Sequence, residues 1–462
     1  MSHLLAISYR FPPETYPLAI RVDYFLSHLA RTHTVHALTA ASEPVLPGVS
    51  VRTIQGGDAT RLKNGMQRLR LKKMADWMFW PDPFIGWIVP ALYAAYREVK
   101  RKRPDAILAF AMPYTSAIVG ALLKKMTGVP LILNFNDSLT CPDVNATYPS
   151  RMHARAAKRL EDWLVQTADA SVFVSQENLD RVRQRQPESH RNTLHLIRRG
   201  VRPVAMPVSA PVSKEATAAI RIVYTGGLSG WHMHQTSNTE RGLIARTART
   251  WWHRWNHWGQ YRASPIDPST HTPVYIGQAV QHLRKAHPEW TRPVEVHVYG
   301  NTFPTEVVNA VLQRYDLHDV VTVHPPQPHD TALRLMHEAD VLFLTLPDRP
   351  DGTPGGRISA KTYEYLMTDQ PIVAAVPPGE NRNYLQDKPG VVISAPADVE
   401  ALTRALTPWI AALQAGQPLA IDRTHLHNAL HSTTRATAYA ALVDHVCTSP
   451  AAVFSAPHLT PA

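Results

Sequence analysis

Lys361 and Glu364 stand three positions apart in AKTYEYL, shortly behind the glycines Gly352, Gly355 and Gly356. A lysine ammonium is a compact point charge suited to a phosphate, and a carboxylate accepts hydrogen bonds from the hydroxyls of a ribose. On a helix these two would lie on neighbouring faces, so the pair could hold a nucleoside diphosphate. The elements that must position them are legible around them. Val341 to Leu346 is an apolar strand, the glycines form a loop, about Ser359 to Met367 is a helix, and Ile372 to Val376 is another strand. Glycine-rich backbone entering a helix leaves N–H groups that can meet an anion. The same residues also suit a plain strand–turn–helix with an exposed lysine and glutamate.

Two further strand ends carry candidate chemistry. Ile222 to Tyr224 runs into Thr225-Gly226-Gly227-Leu228, a second candidate phosphate-facing loop, although glycine pairs are common in turns. Pro130 to Phe135 has almost no polar interruption and reads as a buried parallel strand delivering Asn136-Asp137 at its end. Ligands of doubly wound sheets bind outside such ends, so Asp137 is placed to orient or deprotonate a hydroxyl, or else to hydrogen-bond its own loop.

The 462 residues suffice for two Rossmann-like halves. The formal charge of +11 is compatible with anionic substrates, nucleic acid or an anionic membrane surface. Cys141 and Cys447 are far apart and imply no disulfide framework, which points to a reducing, cytoplasmic compartment. The segment MSHLLAISYRFPPE lacks a basic leader and reads as a first strand, and no apolar run is long enough to span a bilayer.

Pro203 to Lys214 is a run of proline and small residues that marks a domain boundary. The expected organisation is a first Rossmann-like domain at 1–202, a linker at 203–219 and a second Rossmann-like domain at 220–430. A helix at 431–446 would cross back to the first domain, with a mobile tail at 447–462. Two stretches fall outside this alternation. The run Arg61 to Lys73 is basic without an acid and is followed by Trp77, Met78, Phe79 and Trp80. As a helix, this 61–80 stretch would rest on an anionic bilayer or pack on the domain as a solvated basic face. Trp231 to Arg262 interleaves tryptophan, arginine and histidine, which suits a lid over an acceptor or a self-packed aromatic cluster. His253 and His257 are one helical turn apart, but no cysteine or well-placed carboxylate completes a set, so no metal site is expected.

The motif Pro354-Gly355-Gly356, Lys361, Glu364-Tyr365-Leu366 and Pro371-Ile372-Val373-Ala374 resembles the sugar-nucleotide motif of the retaining family-4 glycosyltransferases. Phe11-Pro12-Pro13 with Arg21 is similar to the opening of that family, and the resemblance spans nearly the whole chain apart from Trp231 to Arg262 and the tail. It implies an α/β protein of the GT-B fold, two Rossmann-like domains facing a central cleft. It further implies a hexosyl-type transferase that uses a nucleoside-diphosphate sugar as donor substrate and needs no cofactor. Its partners would be a carbohydrate or lipid-linked acceptor and no nucleic acid, in polysaccharide biosynthesis, and the 61–80 stretch, not the resemblance, would place it at the inner face of a membrane. In the family's pattern Lys361 neutralises the diphosphate with the Gly226, Gly227, Gly355 and Gly356 amides, and Glu364 holds the ribose. The loop at Pro325 backs the base, and Asp137 lies near the acceptor or donor sugar. The chain departs from the pattern at Gly356, where many members carry the first acid of a Glu-x7-Glu pair, at Asn136, and in lacking an Arg-x4-Lys after Gly227. A sugar-nucleotide epimerase of the same fold and a non-catalytic scaffold are the alternatives.

Overall fold

The computed structural model describes residues 1–14, 16–69, 71–202, 218–234 and 258–448. These form two compact units, one of 1–200 with 258–263 and 429–448, the other of 201–202, 218–234 and 264–428. Most of the expected linker at 203–219, the middle of the 231–262 stretch and nearly all of the tail lie outside the described residues.

The first unit is built on seven parallel strands, β1 His3–Ile7, β2 Thr34–Thr39, β3 Val49–Thr53, β4 Ala106–Ala111, β5 Leu131–Phe135, β6 Ala170–Phe173 and β7 Leu194–Leu196, in the order β3-β2-β1-β4-β5-β6-β7. Both faces of a parallel sheet must be covered, and the side chains of a strand alternate between them. Accordingly Leu4 and Ala6 of β1 join one apolar cluster with Phe25 and Leu26, while Leu5 and Ile7 join another with Val99 and Val119. Helices Ile88–Lys102 and Tyr114–Thr127 supply the second cluster. On the other face, helix Pro17–Leu29 packs beside helix Ser432–Thr448, where Tyr439 stacks on Phe25 with ring centroids 4.1 Å apart. The Tyr439 hydroxyl accepts from Asn134 Nδ2 at 2.7 Å, which gives the amide nitrogen of a polar side chain inside an otherwise apolar strand its partner.

The second unit repeats the plan with six parallel strands, β8 Ile220–Thr225, β9 Val294–Tyr299, β10 Val321–His324, β11 Val341–Thr345, β12 Ile372–Ala375 and β13 Val391–Ser394, in the order β10-β9-β8-β11-β12-β13. Helices Val274–Ala286 and Val399–Gln414 pack together over one face and bury its apolar residues. Because all strands of a unit run the same way, the turns after β8, β9, β10 and β11 emerge along one edge, where a doubly wound sheet binds its ligands.

Several expectations change in detail. The basic stretch is two helices, Thr60–Arg68 and Lys72–Met78. Trp231, read as part of a lid or an aromatic cluster, is fully buried in the core of the second unit. The other described end of that stretch goes elsewhere, since Tyr261–Arg262 pairs antiparallel with Thr147–Tyr148 in the first unit. His253 and His257 lie outside the described residues.

Candidate functional site

The turns after β8 and β9 are built back to back from glycines. Gly226 has φ of +111° and donates its N–H to the Tyr299 carbonyl at 2.6 Å, while Gly300 has φ of +116°. A Cβ on Gly300 would stand 2.8 Å from the Gly226 backbone, so the approach of the two turns excludes a side chain there. Gly227, next in line, is exposed, and its N–H donates to no group among the described residues.

Beneath this loop lies a small polar relay. Ser229 N donates to His271 Nδ1 at 3.3 Å, and the Ser229 hydroxyl reaches the same nitrogen at 2.9 Å. Nδ1 is therefore the acceptor, and Nε2 carries the proton toward the Tyr224 hydroxyl, 3.3 Å away. Tyr224 in turn donates to the Gly227 carbonyl at 3.2 Å. Burial, with the nearby charge of Lys361, pushes His271 down to about 4, so the ring is neutral in the physiological range.

Lys361 completes the site. It sits in the first turn of helix Ala360–Leu366, and its ammonium lies 5.2 Å from the centre of the Tyr224 ring. A Cβ on Gly226 would fall 2.4 Å from Lys361 Cε and 2.7 Å from Nζ, so the lysine end occupies the space that the glycine leaves open. Burial lowers the Lys361 pKa from its ordinary value, Tyr365 and Glu364 act to raise it, and Arg357 lowers it further. Two contacts fix the helix. The Tyr365 hydroxyl accepts from Thr225 N at 3.1 Å, and Asn381 Oδ1 accepts from Ser359 N at 2.9 Å and from the Thr362 hydroxyl at 2.7 Å. Glu364, half-buried, has a carboxylate that hydrogen-bonds to no described group.

The second glycine pair behaves differently. Gly355 is buried and bridges to Gly379, donating its N–H to the Pro378 carbonyl at 3.1 Å and accepting from Glu380 N at 2.8 Å. Its amide, expected to face a phosphate, is already consumed by that pairing. Gly356 is buried beside it. Pro325, after β10, is exposed, and its carbonyl accepts from Gln327 Nε2 at 3.1 Å. Lys361, Gly226, Gly227 and Glu364 thus belong to one site in the second unit, where Tyr224, His271 and Tyr365 also stand.

Asp137 belongs to the first unit, just after β5. It is 5% exposed, accepts from Asn136 Nδ2 at 3.1 Å through its carboxylate, and accepts from the Tyr114 hydroxyl at 3.3 Å through its carbonyl. The loop behind it is tied to Glu161, whose fully buried carboxylate takes the Ser138 hydroxyl at 2.5 Å, the Thr140 hydroxyl at 2.6 Å and Arg185 Nη2 at 2.5 Å. Arg21 is buried and donates to the Phe135 and Ile197 carbonyls at 3.2 and 3.4 Å, joining helix Pro17–Leu29 to the ends of β5 and β7. Among the described residues no group of three or more His, Cys, Asp or Glu is arranged to hold a metal.

Residues 18–204 match the model of Glycosyltransferase Family 4. Among solved structures, Anabaena Alr3699/HepE in complex with UDP and glucose is 14% identical with a TM-score of 0.57, covering 96% of this chain and 100% of that one. Sucrose-phosphate synthase from Thermosynechococcus elongatus is 14% identical with a TM-score of 0.61, covering 97% and 100%. A UDP-forming trehalose-phosphate synthase from Burkholderia xenovorans is 14% identical with a TM-score of 0.58, covering 98% and 100%. No curated protein matches the chain by sequence. At these identities the shared property is the fold, α/β with two Rossmann-like parallel-sheet units as in GT-B proteins.

Proposed function

We propose, from the match of residues 18–204 to the model of Glycosyltransferase Family 4, that the chain transfers a hexosyl-type sugar from a nucleoside-diphosphate sugar to an acceptor, with retention of configuration. The acceptor is a glycan, a lipid-linked glycan or a small molecule, and the reaction needs no metal or cofactor beyond the donor substrate. The domain at 220–430 takes the donor and the domain at 1–202 takes the acceptor, in the cytoplasm.

The observation that carries this reading is the ammonium of Lys361 held against Gly226, beside the open amide of Gly227. A cation poised where a leaving diphosphate gathers charge stabilises the transition state more than the ground state. Glu364 accepts from the ribose hydroxyls, and the Pro325 loop backs the base. Asp137 orients the acceptor hydroxyl. UDP is the first nucleotide to test, because the Anabaena protein was crystallised with UDP and with UDP-glucose. Calorimetric titration with UDP, GDP and ADP decides the donor class, and no heat with any of the three would sink the reading. A donor screen that follows nucleoside diphosphate release then separates transfer from epimerisation, which leaves the diphosphate attached to the sugar. Gly356, in place of an expected carboxylate, favours a second reading, a scaffold that binds the nucleotide without turnover. Tight UDP binding with no turnover on any donor would support that scaffold.

A further inference from the structure

Three surface elements of the first unit meet around two tryptophans. Helices Thr60–Arg68 and Lys72–Met78 pack together, and Trp77 sets its ring edge-on to His153, 4.5 Å between centroids, at the start of helix Arg151–Thr167. Lys73 Nζ lies 4.4 Å from the centre of the Trp258 ring. Helix Thr60–Arg68 buries none of its residues. On these helices, the connection between the first two and the adjoining Trp258, the side chains of Leu62, Leu69, Met74, Met78, Met152 and Trp258 are between 54% and 73% exposed. Isolated exposed apolar residues are ordinary, but a group of this size on joined elements calls for an apolar neighbour.

The charge around them has one sign. Within 60–78 the single acid is Asp76, which pairs with Lys63 at 3.5 Å and with Lys72, and 151–160 contains no acid. Arg61, Arg68, Arg155, Lys158 and Arg159 add to the positive charge of the patch. We infer that this patch seats the protein on the surface of an anionic phospholipid bilayer, with the apolar side chains entering the headgroup layer and the cations meeting the phosphates. A nucleic acid would use the cations and the tryptophans but would leave leucine and methionine side chains facing water; a bilayer takes both. No helix among the described residues is long and apolar enough to cross a membrane, so the seat is on the surface. The inference is independent of the donor site.

Co-sedimentation of the full chain with phosphatidylcholine vesicles, with and without phosphatidylglycerol, tests it. Pelleting should require phosphatidylglycerol and weaken as salt rises. The triple change Arg155→Glu, Lys158→Glu, Arg159→Glu and, separately, Leu69→Ser with Met74→Ser should each lower vesicle affinity by about tenfold or more. All five positions lie at the surface, so an unchanged thermal melt verifies that each variant is folded. Absence of pelleting with phosphatidylglycerol vesicles, or equal pelleting of all variants, overturns the inference. Loss on charge reversal alone, with Leu69→Ser and Met74→Ser indistinguishable from the parent, overturns it too, since that is the signature of a general polyanion site. If an RNA oligonucleotide is bound more tightly than the vesicles and displaces them, a nucleic acid is the occupant.

Discussion

Two of the chain's three glycine pairs lie in the second unit, Gly226-Gly227 and Gly355-Gly356, and in sequence they make the same offer to an anion. In the structure their backbones have different fates. The first pair turns with positive φ at Gly226, and Gly227 is left exposed with its N–H unclaimed among the described residues. The second is buried, and Gly355 spends both its N–H and its carbonyl on the 378–380 turn. A glycine pair is therefore an anion site only where no other backbone takes its donors, because a buried N–H must find a partner in the fold itself. One pair shapes the site from within and the other is the part a ligand could touch.

The comparison can be broken most sharply at Gly379. A Cβ there would lie 2.3 Å from Gly355 N at φ of +136°, so Gly379→Ala should cost roughly 2–4 kcal/mol of stability by thermal or urea unfolding. A Gly379→Ala protein as stable as the parent would mean that the second turn is not the sealed brace described. Next is Lys361→Ala, which should weaken UDP binding by roughly 1.5–3 kcal/mol, on the order of 10- to 150-fold in calorimetry, with little change in melting. Unchanged affinity would place the diphosphate elsewhere. Gly226→Ala should act on both properties more mildly, about 1–2 kcal/mol from its positive φ and a displaced Lys361. An effect on unfolding with none on UDP affinity would separate the loop from the donor.

His271→Asn should follow with about 1 kcal/mol of weakened binding, because the shorter amide cannot span Ser229 and Tyr224 together. Its pH dependence has a definite sign. His271 titrates at about 4 in the fold against an ordinary 6.5, so the stability it contributes is complete above 6.5 and declines as pH falls from there toward 4. The decline should be shallower in His271→Asn, and identical profiles would remove His271 from the relay. On the alkaline side, the lowered pKa of Lys361 predicts that UDP affinity falls off below the pH at which an ordinary lysine, at 10.5, loses its proton.

The fold was largely readable because parallel strands buried on both faces leave unbroken apolar runs, and Leu131 to Phe135 is buried at every position. Lys361 and Glu364 were readable because a glycine loop running into a short helix is a local pattern. What governs the site was less so. His271 lies in the polar stretch Pro268-Ser269-Thr270-His271-Thr272, with no periodicity to mark it, and only the packing of helix Val274–Ala286 against β9, the neighbour of β8, brings it under Gly227. The partner of Gly355 was hidden for a related reason. Register between the 355 and 379 turns depends on how β11 and β12 lie side by side, which no local residue announces. The exposed Trp258 and the buried Trp231, similar in sequence surroundings, were distinguishable only by which unit each one packs in.

Asn134 and Tyr439 are hydrogen-bonded across 305 positions, with the second unit's residues lying between them in the chain. A ribosome making this protein must therefore release almost everything before the first sheet receives its last covering helix. Until then, the face lined by Phe25 and Leu26 has no Tyr439 to close it, and the nascent chain carries that apolar surface through the whole synthesis of the second unit. Cutting the chain before Ser432 should leave the second unit able to fold and the first dependent on chaperones. Supplying the helix as a separate segment should restore it.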